Sequence, residues 1–243
     1  MSFVAIIPAR FGAQRLPGKP LLDIAGKPML QHTWERACAS GAEAVYVATD
    51  DERIQQAAEA FGADVIMTSA EHRSGTDRIQ EVVTKLGLAN EQIIVNVQAD
   101  EPMIPPEVID QVASNLADNP DMGIATLCET MTSKNEIADP NAVKVVISKT
   151  GQALYFSRSV IPHNGSASAG NCFRHIGIYA YRVATLHDFV SWPAAELEVA
   201  EKLEQLRALY NGVQIHVAVA SQRIPAGVDT ESDLAAVRKL LAE

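Results

Sequence analysis

Three cations, Arg10, Arg15 and Lys19, fall within ten residues in the stretch PARFGAQRLPGKP (8–20), with Gly12 and Gly18 between them. Lysine and arginine hold phosphate by charge, and exposed backbone amides add to that hold. The stretch resembles a phosphate-binding P-loop without having its spacing. A P-loop has four residues between its first glycine and the Gly-Lys pair, then Ser or Thr. Here five residues separate Gly12 from Gly18, and Pro20 follows Lys19. Proline offers neither a hydroxyl for Mg²⁺ nor a backbone donor. The stretch therefore predicts a different polyphosphate device, with a solvated basic loop as the alternative if it stood alone.

Three further stretches could join it. HRSGTDR (72–78) combines Arg73 and Arg78 with the hydroxyls of Ser74 and Thr76 around Gly75. These suit a phosphate or a base, and equally a helix cap. NVQADEP (96–102) places carboxylates directly after the apolar run QIIVNV. A carboxylate there is costly to desolvate unless it meets a cation, and one or two carboxylates plus substrate phosphates are the usual Mg²⁺ set. Asp100 is favoured over Glu101 as ligand, against capping of a helix that begins near Pro105. Asp229 in AGVDTESDL is the candidate second ligand, against a strong alternative as a cap of its own helix. In TDDE (49–52), capping is favoured outright.

The elements that must position these groups alternate. Apolar runs at 3–8, 44–49, 63–68 and 92–98 are interleaved with helical patterns at 29–39, 52–61, 76–86 and 106–117. Such alternation implies a parallel sheet, and continuous apolar strands imply burial on both faces. Ligands of open α/β sheets bind at strand carboxyl ends, where PARFGAQRLPGKP, TDDE, HRSGTDR and NVQADEP fall. From 122 the pattern changes to strands at 122–128, 142–148, 153–157 and 173–181, with fewer helices between. HNGSASAGN (163–171) reads as a disordered tip. A helix over 197–209, a strand at 215–220 and a helix over 231–241 follow. The reading is one α/β domain, 1–243, with an inserted mixed-sheet subregion at about 122–190.

Composition narrows the function. The chain has 243 residues, is 47% hydrophobic and has a formal charge of −10. Such a charge repels nucleic acid, so clustered cations suit a small polyanion such as a nucleotide. Cys38, Cys128 and Cys172 form no CxxC pair, which argues against a zinc site or disulfide framework and for a reducing, cytoplasmic setting. FVAIIPA is too short to span a membrane. No GxGxxG follows the first strand, which disfavours a nicotinamide-dependent dehydrogenase.

IIPARFGAQRLPGKPL, VATDDERI, SGTDR, VNVQADEP, DPNAVKVV, ALYFSR, RHIGIYAYR, LEQLRAL and GVDTESDL, taken in order, cover nearly the whole chain. As a set they resemble the sugar nucleotidyltransferases, and within them the family of cytidylyltransferases acting on 3-deoxy-D-manno-octulosonate (Kdo). The resemblance implies a Rossmann-like, mostly parallel sheet flanked by helices, with dimerisation through the inserted sheet region. It implies Mg²⁺-dependent transfer of CMP from CTP to the anomeric hydroxyl of Kdo, with pyrophosphate released. Arg10 and Lys19 then match triphosphate-holding positions; Arg73, Ser74, Arg78 and Gln98 match the nucleotide surroundings; Asp100 and Asp229 match the metal aspartates. Arg158, His175, Tyr179, Glu204 and Gln205 match the sugar pocket. The chain departs from the family pattern at Ala99, usually glycine, at Ala13 and Gln14, usually small hydroxyl residues, and over 163–171 and 194–198. An 8-amino relative of Kdo is the alternative substrate, and a non-catalytic nucleotide-binding module the alternative class.

Overall fold

A computed structural model describes residues 2–12, 16–163 and 172–241. Ala13, Gln14, Arg15 and all but the first residue of 163–171 lie outside it.

The first strand, β1 (Phe3–Ala9), is apolar on both faces, and the two faces enter different cores. Phe3, Ala5 and Ile7 pack on one side, while Val4 and Ile6 pack on the other. Fully burying an aliphatic side chain of this size is worth about 1.5–3 kcal/mol, so a strand with both faces apolar is held at the centre of the sheet. After β1 the chain makes a 3₁₀ turn (Lys19–Leu21) and a small hairpin, β2 (Asp23–Ile24) and β3 (Lys27–Pro28). It then alternates α1 (Met29–Cys38), β4 (Ala44–Thr49), α2 (Glu52–Ala60), β5 (Asp64–Met67), α3 (Gly75–Lys85), β6 (Ile93–Asn96) and α4 (Pro106–Ala117). These elements follow the expected pattern within a residue or two at most ends.

The remainder is β7 (Ile124–Thr130), α5 (Lys134–Ala138), β8 (Lys144–Ile147), β9 (Ala153–Ser157), β10 (Phe173–Arg182) and α6 (Val183–Ser191), then α7 (Glu196–Glu201), α8 (Gln205–Tyr210), β11 (Ile215–Val219) and α9 (Glu231–Leu241). The main sheet runs β11-β7-β10-β6-β1-β4-β5, with β8 paired to β10 and β9 to β8. β4 and β6 flank β1, and both pair with it in parallel. β10 is antiparallel to β6 on one side and to β7 on the other. Within 122–190, β7 and β10 therefore belong to the main sheet, and the β8–β9 hairpin branches from the start of β10 at Arg174 and Phe173.

Two expectations need correction. The helix predicted over 197–209 is two short helices, broken where Lys202 adopts the left-handed conformation at φ 55°. Local periodicity does not reveal such a break, because a lysine rarely occupies that region. α5 and α6 were not expected. VATLHDFVS opens with β-branched residues directly after a long strand, yet Val183, Leu186 and Phe189 bury a helical stripe.

Candidate active site

The loops after β1 and β6 border a cavity of about 420 Å³. It lies where neighbouring connections leave the sheet in opposite directions, the usual crevice of an open α/β sheet. Arg10, Lys19, Arg73, Ser74, Arg78 and Gln98 line it, together with Asp100 and Asp229. All eight residues matched to the nucleotide and metal positions thus border one space.

Lys19 is placed by Gly18, whose φ of 68° is the left-handed turn a glycine makes without strain. Its side chain is buried, and its Nζ donates to Asp100 Oδ2 at 2.6 Å and to Asp229 Oδ1 at 2.9 Å. Desolvation pulls the ammonium's pKa down, but the charges and hydrogen bonds of Asp100 and Asp229 outweigh it and hold the pKa above its ordinary value. The two aspartate loops are tied together by the Val228 amide, which donates to the Asp100 carbonyl at 2.9 Å. Thr33 Oγ1 anchors the Ala99 carbonyl at 3.2 Å, fixing the same loop from α1.

The capping alternatives for both aspartates fall away. α4 starts with Pro105 as its cap and Pro106 in its first turn, and no side chain caps it. At α9 the cap is Thr230: it accepts from the Asp233 amide, while Asp233 Oδ2 accepts from the Thr230 amide at 2.8 Å. The Asp229 carboxylate is turned to Lys19 instead. Burial, reinforced by Asp100 and Asp229, pushes Glu101 up to about 8, so it carries its proton near neutrality.

Other residues divide between structure and ligand. Asp51 caps α2, as expected of TDDE, by accepting from the Arg53 amide. Its neighbour Asp50 does something the sequence did not signal: it pairs with the buried Arg78 at 3.2 Å. Arg78 also donates to Thr68 Oγ1. Ser74 closes a capping box with Asp77, so its hydroxyl is engaged in the helix start while the residue lines the cavity. His72, overlooked within HRSGTDR, also lines the cavity and bonds Glu81.

Asp100 and Asp229 form a donor set suited to a hard cation: two anionic oxygens already converge on one positive nitrogen. Among the described residues, no group of three or more His, Cys, Asp or Glu could hold a metal. Phosphate and water oxygens would have to complete the shell, as Mg²⁺ sites in phosphate chemistry commonly require.

The residues matched to the sugar pocket are placed differently. His175 and Tyr179 pack with ring centroids 5.3 Å apart on β10, and Tyr179 stacks on Tyr181 at 5.7 Å. His175 Nε2 is 3.0 Å from Thr126 Oγ1, and burial pushes its pKa down to about 3, so the ring is neutral. Glu204 and the buried Gln205 sit at the start of α8, and Glu204 Oε2 accepts from Thr76 Oγ1 at 2.8 Å. Thr76 follows Gly75 of the cavity wall, so α3 borders both groups. The Thr76 hydroxyl, considered for phosphate, is committed to Glu204. Arg158 stands apart: Nε donates to the Glu201 carbonyl at 2.9 Å and Nη1 to the Pro140 carbonyl at 3.0 Å.

Residues 4–215 match the family model described as Cytidylyltransferase. The chain is 56% identical to a 3-deoxy-manno-octulosonate cytidylyltransferase of Hahella chejuensis, covering 100% of this chain and 98% of that one. It is also 56% identical to one of Pseudomonas syringae pv. syringae, over 99% and 98% of the two chains. A solved CMP:2-keto-3-deoxy-manno-octonic acid synthetase complexed with CTP superposes with a TM-score of 0.93 at 46% identity, covering 99% of this chain and 98% of that one. A cytidylyltransferase structure from Leptospira borgpetersenii, at 16% identity and a TM-score of 0.64, shares the fold; it covers 99% of this chain and 86% of that one. The chain belongs to the cytidylyltransferase family.

Proposed function

We propose that this chain transfers CMP from CTP to the anomeric hydroxyl of Kdo, releasing pyrophosphate and giving CMP-Kdo for lipopolysaccharide biosynthesis. The observation that carries the reading is the convergence of Asp100 and Asp229 on one cation beside a cavity lined by Arg10 and Arg73. Full-length relatives with that activity in their names support it.

In the transfer, the anomeric oxygen forms a bond to the α-phosphorus while the bond from that phosphorus to the bridging oxygen breaks. Pyrophosphate leaves with the bonding pair, and the hydroxyl proton passes to water. Arg10 and Lys19 would stabilise charge growing on the phosphate oxygens. Asp100 and Asp229 would hold Mg²⁺, which when bound neutralises phosphate charge and lowers the pKa of a coordinated hydroxyl. Gln98 and Arg73 would flank the nucleotide. His175, being neutral, would offer a hydrogen bond rather than charge to the sugar. Glu204 and Gln205 would receive sugar hydroxyls, and Arg158 would serve the sugar carboxylate only by giving up carbonyl partners.

The active form would be a cytoplasmic homodimer joined through the inserted sheet region. Its hairpin leaves Leu154 on β9 58% exposed, apolar surface of the kind an interface covers. No helix among the described residues is long and apolar enough to cross a membrane. Pyrophosphate release, measured with CTP, Kdo and Mg²⁺ omitted in turn, tests the reading. Release is expected only when all three are present, and none with all three would refute it.

A further inference from the structure

Thr76 has one hydroxyl proton and gives it to Glu204 Oε2 at 2.8 Å. That bond commits the proton to the carboxylate.

The bond joins a buried part of the molecule to a more exposed one. Thr76 is buried on α3. Glu204 is partly exposed at the start of α8, two residues after the left-handed break at Lys202. Its other oxygen, Oε1, lies 3.8 Å from Arg207, beyond hydrogen-bond length. Thr76 therefore supplies the short directional bond that orients this carboxylate.

We infer that Thr76 is a positioning residue for the sugar substrate, holding the Glu204 carboxylate through its hydroxyl. The inference rests on the Kdo reading above. Because Ser74 and Gly75 line the nucleotide cavity and Thr76 turns away from it, the effect belongs to the sugar and not to CTP.

Steady-state pyrophosphate release, with Kdo and CTP varied separately, tests this in the unsubstituted chain and in Thr76→Val, Thr76→Ser and Thr76→Ala. Thr76→Val is expected to raise the KM for Kdo roughly tenfold or more, since a hydrogen bond to a charged group is lost, with the KM for CTP within about twofold. Thr76→Ser keeps the hydroxyl and is expected to lie within about threefold of the parent, while Thr76→Ala, which lacks it, is expected to match Thr76→Val. An unchanged Kdo KM in Thr76→Val, an equal rise in both KM values, or a serine variant as impaired as the valine overturns the inference. If Thr76→Val does not fold, Thr76→Ala decides, and a parental Kdo KM there overturns it. An inactive parent chain refutes the Kdo reading itself, and the inference falls with it.

Discussion

Lys19 Nζ stands 2.6 Å from Asp100 Oδ2, a carboxylate 81 residues further along the chain. The same nitrogen reaches Asp229, 210 residues away, at 2.9 Å. One ammonium thus occupies the position between the two carboxylates proposed to hold Mg²⁺, and a metal ion bound there would share these carboxylates with the lysine or displace it toward the phosphates. The arrangement keeps the aspartates together and offsets one of their two charges before substrate arrives.

Replacing either aspartate separates catalysis from folding. Asp100→Asn and Asp229→Asn are each expected to lower kcat by roughly two orders of magnitude or more, from loss of a Lewis acid worth several kcal/mol. Both carboxylates are partly exposed, so the unfolding free energy should change by no more than about 1 kcal/mol. Pyrophosphate assays and urea titrations check the two halves. A variant with near-parental turnover would not be a metal ligand.

The Lys19 bridge sets a pH dependence at the alkaline end. The folded pKa lies above the ordinary 10.5, so the bridge contributes fully below that value and is lost as pH rises through the folded pKa. The stability difference between the parent and Asp100→Asn should be constant from neutrality to about pH 10 and shrink above it. Paired denaturant titrations at each pH measure it. A difference that grows with alkalinity would contradict the sign.

His175 works at the acid end. Its folded pKa of about 3 lies below the ordinary 6.5, so its contribution is present above 6.5 and is lost as pH falls toward 3. Across that interval the parent should lose up to about 1.4 kcal/mol per pH unit more than His175→Gln. Nitrogen chemical shifts should show a neutral imidazole at pH 5, and a midpoint near 6.5 would refute the buried assignment.

The buried Arg78 and the partly buried Asp50 form a pair whose halves should not be equivalent to lose. Arg78→Met strands the Asp50 carboxylate and is expected to cost about 2–4 kcal/mol, while the double variant with Asp50→Asn should recover part of that. Urea midpoints of the single and double variants decide it. Additive losses would show that the pair is not coupled.

Much of this architecture is visible in local sequence, and the reasons are particular. FVAIIPA and QIIVNV are apolar on both faces, so they must be central strands, and the groups after them must lie at strand ends. Arg10 and Asp100 could therefore be placed at one edge before any coordinates. Pairings across long separations could not: nothing local in TDDE says that Asp51 caps a helix while Asp50 meets Arg78. Nor does GKP tell that Lys19 lies between two aspartates. The Lys202 break was hidden because lysine carries no signal for a positive φ, and Thr76 looked like a phosphate contact because its partner is 128 residues distant.

Phosphorus NMR of a reaction containing the chain, CTP, Mg²⁺ and one sugar acid at a time tests the central claim most directly. With Kdo, the account predicts a new phosphodiester resonance from CMP joined to the anomeric oxygen, and one pyrophosphate for each CTP consumed. Unchanged CTP, or CMP and pyrophosphate without a sugar phosphodiester, would contradict it.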